Sequence, residues 1–279
     1  MLIDGLLKII ESCLPLSTAI EGDKVGLQIQ SGKTEVKNIL ITLEITKEVI
    51  VEAKENNIDC IITYHPLIYN PITCITESNR VGYLVRKLIQ NSIAVVSVHT
   101  TFDTYFEGTS RILSNKLGLE FKSFLIENEK VLRSGLGVIS YSEKPLKPDD
   151  FINRLYNLCN SPITYCTGKV EQLRWIGIVG GSGSEFIERA IEEGCDAFVC
   201  SDISYHKFHQ SKGRIWLINV GHYEMEQFVP EGLYNLFQSK LGNEDFSSLR
   251  ISRVITNPVN YFPNNELIDK QKEYLLKIK

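Results

Sequence analysis

The chain has no CxxC pair: its seven cysteines stand at 13, 60, 74, 159, 166, 195 and 200, without regular spacing. That pattern excludes a zinc ribbon and a thioredoxin-like motif and suits a reducing compartment. Cys60, Cys195 and Cys200 lie in apolar runs and read as small buried hydrophobes. No apolar stretch reaches the roughly 20 residues of a membrane span. The first residues lack the basic start and apolar block of a secretory signal, so a cytoplasmic location is expected. A basic excess is also missing. The net charge is -4, which disfavours a dedicated nucleic-acid binder. Low-complexity segments are absent as well. What remains is 279 residues, 43% hydrophobic and 23% charged, enough for a full core divided into two lobes.

Those residues alternate between two local patterns. "VKNILITLEI" (36–45), "DCIITY" (59–64) and "IAVVSV" (93–98) read as strands, separated by helices over 46–57 and 79–92 and followed by the helix "TSRILSNKL". Ahead of them, residues 2–14 have helical apolar spacing. The second half repeats the alternation, with strands "LGVISYS", "LRWIGIVGG", "DAFVCSD" and "RIWLINVG" and helices between them, one carrying Pro148 in its first turn. Short continuous apolar strands between amphipathic helices are the sequence form of parallel βαβ units. The charged stretch "IENEKVLRS" (126–134) is a candidate seam. The expected division is a first lobe over 1–125, completed by residues 221–279, and a second over 126–220. The final "LIDKQKEYLLKIK" has the spacing of a surface helix with a solvated Lys-rich face.

Histidine is scarce, and its placement is therefore informative. Of the five, His65, His99 and His222 directly follow apolar strands, while His206 and His209 sit on a short helix. In open parallel α/β sheets, ligands bind beyond the carboxyl ends of the strands. Asp103 stands four residues after His99, and Glu226 four after His222, which on a helix shares its face. Glu224 points elsewhere. Such an imidazole and carboxylate set suits zinc, iron, manganese, cobalt or nickel better than calcium. Each residue also has a plainer reading: a histidine in a turn, Asp103 and Asp202 as helix caps, Glu226 as a solvated helix residue. His206 is a candidate proton donor if it faces the same crevice. "VGGSGSEF" (179–186) offers backbone N–H groups to an anion, but it has neither the GxGxxG order nor a Walker lysine, and a tight turn explains it equally well.

Taken together, "GDKVGLQI", "ITYHPLIY", "VHTTFD", "GGSGS", "SDISYH" and "GHYEME" resemble, in order and approximate spacing, the motifs of the GTP cyclohydrolase 1 type 2 homologue family, also called Nif-three-like proteins. The resemblance covers most of the chain. It implies an α/β fold of two similar lobes with mixed, largely parallel sheets and a metal site in the cleft between them, holding one or two divalent ions per subunit. It implies a homohexamer. By position, the family's ligands fall on Tyr64, His65, Asp103, His222 and Glu226, with His99 a neighbour. Tyr64 stands where the family pattern usually has histidine. A neutral phenol, with a reference pKa of about 10, is a poor donor near pH 7, so one tight ion and one weak or absent ion are expected. The implied activity is a metal-dependent hydrolase acting on a nucleotide-like small molecule, with His99 or His206 moving protons. The competing expectation is a non-catalytic metal-binding scaffold or protein-interaction ring.

Overall fold

The computed structural model describes residues 1–241 and 246–261. The helix expected over the last 13 residues lies outside them. The chain forms two compact units, Met1–Tyr105 with Val229–Thr256, and residues 106–228 continued from Asn257.

The first unit opens with α1 (Ile3–Cys13) and β1 (Gly26–Ile29), then alternates β2 (Asn38–Thr42), α2 (Lys47–Glu55), β3 (Cys60–Thr63), α3 (Arg80–Gln90), β4 (Ala94–Ser97) and the one-turn α4 (His99–Asp103). Helix starts follow from caps. The Thr46 side chain accepts the Val49 N–H at α2, and Asn79 accepts the Gly82 N–H at α3. Strands β3 and β4 are buried at every residue, which is why they read as unbroken apolar runs.

The second unit contains α5 (Thr109–Lys116), β5 (Glu120–Glu127), β6 (Gly135–Leu146), α6 (Pro148–Cys159), β7 (Thr164–Cys166), β8 (Leu173–Ser182), α7 (Ile187–Glu192), β9 (Ala197–Ser201), α8 (Tyr205–Ser211), β10 (Trp216–Asn219) and α9 (His222–Glu226). Pro148 occupies the first turn of α6, where its missing N–H costs nothing. The chain then returns to the first unit as α10 (Val229–Lys240) and β11 (Ser248–Ile251).

The first sheet has the order β1-β4-β3-β2-β11, all parallel except β1 against β4. The second has the order β5-β6-β8-β9-β10-β7, with parallel pairs at its centre, β8/β9 and β9/β10, and antiparallel pairs outside them. Both sheets are mixed, as expected. One core of the first unit packs Leu40, Ile61 and Val95 against Val49 and Leu88. In the second, one cluster gathers Phe151, Leu155, Ile176 and Val199, and another gathers Phe198, Cys200 and Leu217.

The seam differs from the expectation. Residues 126–134 do not separate units: β5 and β6 pair antiparallel up to Glu127 and Gly135, so the charged stretch is a hairpin loop. Its polarity serves the turn, where the Asn128 side chain accepts the N–H groups of Lys130 and Val131. Residues 106–125 and 221–228 consequently group with the second unit.

The two units share one structural device. Asp59, just before β3, accepts the backbone N–H groups of Lys37 and Asn38 at 3.0 and 3.1 Å, at the start of β2. Asp196, just before β9, accepts those of Arg174 and Trp175 at 2.8 and 2.9 Å, at the start of β8. Each carboxylate fixes where two parallel strands begin, and therefore where they end. Among the described residues, no helix is long and apolar enough to cross a membrane.

Candidate metal centre

In the first unit, three parallel strands deliver polar side chains at their carboxyl ends. Glu44 follows β2, Tyr64 and His65 follow β3, and His99 follows β4. These are not loose turns. The ladder continues past the strand ends, with Tyr64 N–H on the Thr42 carbonyl, His65 N–H on Leu43 and His99 N–H on Tyr64, each at 3.0 Å. The three rings consequently pack together, with centroids 4.7 Å apart for Tyr64 and His65, 5.3 Å for Tyr64 and His99, and 5.1 Å for His65 and His99.

Each of these groups has a carboxylate beside it. His65 Nδ1 lies 2.9 Å from Glu44 Oε1. His99 Nδ1 lies 3.0 Å from both oxygens of Asp23, whose side chain is 4% exposed and also accepts the Thr100 N–H and hydroxyl. Burial alone would raise the Asp23 carboxyl, but the His99 and Thr100 hydrogen bonds and the His99 charge outweigh it and hold the group well below the usual range. The fully buried Tyr64 donates its hydroxyl to Asp103 Oδ1 at 2.6 Å. Asp103 is thus no helix cap: it ends α4, and the position before α5 is Gly108.

The second unit repeats the arrangement at the ends of β8, β9 and β10. His222 opens α9 and Glu226 closes it, so the pair shares a helix face, with His222 Nε2 3.0 Å from Glu226 Oε1. On the other side of the ring, Nδ1 lies 2.6 Å from Asp202 Oδ2. Ser201 donates to that oxygen at 3.2 Å, and Ser182 donates to it as well. Asp202 has φ 57°, a left-handed conformation that Asp tolerates better than most residues. The expectation that it caps the next helix is corrected here, because α8 is preceded by Ser204 and Asp202 faces His222. Burial pulls the His222 imidazole down, but Glu226 and Asp202 outweigh that and push it up to about 9. Asp202 itself is lowered: burial opposes the shift, and hydrogen bonds from Ser182 and His222 win.

The glycine-rich turn serves close approach here. At Gly181, with φ +81°, an added Cβ would lie 2.4 Å from Glu226 Oε1 and 3.6 Å from His222 Nε2. Glu224, on the other face of α9, accepts from Asn257 at 2.7 Å and Tyr261 at 3.1 Å, pointing away from the pair as expected. His206 is exposed, edge-on to Tyr205 with centroids 5.7 Å apart.

The donor sets fit a first-row ion. In the second unit, His222 and Glu226 are described side chains suited to holding one. A 3.0 Å separation between imidazole nitrogen and carboxylate oxygen is that of two neighbouring donors on one such ion. Two partners carried no signal of their own in the sequence. Asp23 belongs to "GDKVGLQI", which by itself assigns it no role, and Glu44 falls within the strand pattern of 36–45.

Comparison with known proteins shows the family. The family model described as Duf34/NIF3 (NGG1p interacting factor 3) matches residues 1–258. A Lactococcus lactis protein named "GTP cyclohydrolase 1 type 2 homolog" is 33% identical over 224 residues, covering 78% of this chain and 85% of the relative. A Clostridium acetobutylicum protein of the same name is 30% identical over 227 residues, covering 80% and 85%. Among solved structures, a Staphylococcus aureus hypothetical protein matches with a TM-score of 0.86 at 27% identity, over 94% of this chain and 99% of that one.

Proposed function

The chain belongs to the Duf34/NIF3 family, and from that premise we propose that it is a divalent-metal-dependent hydrolase of a nucleotide-like small molecule, with His65, Asp103, His222 and Glu226 as ligands. The observation that carries the reading is the His222–Glu226 pair, set 3.0 Å apart over a glycine whose side chain would obstruct it. The substrate class follows the relatives' name, "GTP cyclohydrolase 1 type 2 homolog". Zinc, iron, manganese, cobalt and nickel all suit the donors.

A bound divalent ion supplies Lewis acidity for the attack of water on the substrate. The residues of the chain do the rest. Glu226 and Asp103 balance the ion's charge, and Tyr64 holds Asp103 in place through its hydroxyl. His99, with Asp23 behind its Nδ1, takes up and releases a proton at Nε2. We assign that role to His99 rather than His206, because the His206 ring is exposed and packs on Tyr205. In this reading the protein is a cytoplasmic homohexamer, on the strength of the family resemblance.

Elemental analysis of wild type and a His222→Ala, Glu226→Ala double variant tests the ligands, and the double variant is expected to lose most of its metal while staying folded. Retention of the wild-type metal content would refute the assignment. A screen of nucleoside phosphates and related heterocycles, with release of phosphate or ring opening as readout, tests turnover. Metal binding with no turnover across the screen would favour the non-catalytic scaffold. Light scattering checks the hexamer, and a monomer at all concentrations would contradict it.

A further inference from the structure

The three histidines that follow parallel strands share a feature that the ligand assignment does not require. Each has a carboxylate near Nδ1: Asp23 at 3.0 Å from His99 and Asp202 Oδ2 at 2.6 Å from His222, both hydrogen-bonded, while Glu44 Oε1 stands 2.9 Å from His65 Nδ1 as a charge contact rather than a hydrogen bond. These carboxylates come from different places. Glu44 follows β2, Asp23 precedes β1, and Asp202 follows β9, so local sequence does not force the coincidence. Two of them are themselves held. Asp23 takes two bonds from Thr100, and Asp202 takes the Ser182 and Ser201 hydroxyls. A carboxylate oxygen only accepts, so the neighbouring Nδ1 must carry the proton. Nε2 is then the nitrogen left for an ion or a reacting group, and in His222 it faces Glu226.

We propose that Asp202 and Asp23 are positioning residues that fix His222 and His99 in the Nδ1–H tautomer and present Nε2 to the ion or the reacting group. The assignment rests on the metal-binding reading above for His222, and on the proton-carrying reading for His99. Partners of this kind orient the ring and raise its basicity, and their loss typically weakens metal binding 10- to 100-fold. Asp202 provides the clearest case. In Asp202→Asn the amide keeps the shape but gains an N–H donor. By donating to Nδ1, that amide shifts the ring proton to Nε2 and blocks the donor.

The experiment is zinc titration of the full chain in wild type, Asp202→Asn, Asp202→Ala, Asp23→Asn and His222→Ala. It is paired with long-range 1H–15N spectra of zinc-loaded, 15N-histidine-labelled protein. The wild-type spectrum is expected to show His222 with a proton on Nδ1 and zinc on Nε2. Both Asp202 variants should bind zinc about 10- to 100-fold more weakly with an unchanged melting temperature of the metal-free protein. Asp23→Asn should move the His99 signals and leave those of His222 in place. Zinc on His222 Nδ1, or wild-type affinity in both Asp202 variants, overturns the positioning role while leaving the ligand assignment intact. Wild-type protein that binds no zinc, or His222→Ala that binds as wild type does, overturns both readings together.

Discussion

The two units solve the same positional problem with the same device and then diverge. In each, an aspartate before a central strand anchors the start of its neighbour, Asp59 for β2 and Asp196 for β8. In each, polar side chains emerge where the parallel strands end. The first unit fills that edge with a packed aromatic trio, Tyr64, His65 and His99, in which the phenol is spent on Asp103. The second offers one imidazole between two carboxylates over a bare glycine. Shared strand geometry sets where donors stand, and the residue at each strand end sets what they can bind.

The largest expected effect comes from Gly181→Ala. Its Cβ would collide with Glu226, which is 2% exposed and has little room to yield. Zinc affinity should fall about 100-fold or more, comparable to losing a ligand's support. Gly194 is the matched control: its φ is +75° with no atom within 4 Å of an added Cβ. Gly194→Ala should therefore cost about 1–2 kcal/mol of stability from backbone strain and leave zinc binding unchanged. Equal zinc affinity in the two variants would break the claim that the glycine serves the pair.

Next in size is the contrast between the clamps. Asp59 is 7% exposed and accepts from Lys33 at 2.6 Å in addition to its two backbone donors. Asp59→Ala should cost roughly 2–4 kcal/mol, since bonds to a charged group are lost and two backbone donors are left short. Asp196→Ala loses no lysine partner and should cost less. Denaturant titration of both variants checks the order.

A smaller effect is expected at Tyr64. Tyr64→His replaces a donor that must first lose a proton with an imidazole, so a second ion should bind about 10-fold more tightly or become detectable. Two tight ions already present in the wild type would contradict the role given to the phenol.

The smallest effect is a pH slope. Burial raises the Asp59 carboxyl, but Lys33 and the Lys37 and Asn38 N–H groups outweigh it, leaving the group lowered. A lowered carboxyl contributes stability that is fully present above its unfolded pKa of about 3.9 and lost as pH falls through its folded value. Melting temperature between pH 5 and 2 should therefore drop more steeply in wild type than in Asp59→Ala. Parallel curves would remove this contribution.

Much of this architecture was legible from local pattern. Strands β3 and β4 are buried at every residue and read as apolar runs, and the helices between them announce themselves through Thr46, Asn79 and Pro148. The edge strands did not. β7 has three residues and no fully buried one, and β11 exists through its register with β2, Arg250 opposite Leu40, some 200 residues apart. The hairpin loop at 126–134 resembled a linker because both are polar. At the site, histidines after strands were readable because parallel strands share one end. Asp23 was not, because its partner His99 is 76 residues away. Asp202 read as a cap because an acidic residue before a helix usually is one. Only the parallel pairing of β9 with β10 turns it toward His222.

The central claim is that His222 and Glu226 hold one ion together, and a mutant cycle on the pair tests it most directly. Zinc affinity and stoichiometry would be measured for wild type, His222→Ala, Glu226→Ala and the double variant. The account predicts that either single change weakens the same tight ion and that the double variant binds scarcely worse than the poorer single. Independent losses, with the effects of the two single changes adding in the double variant, would contradict it.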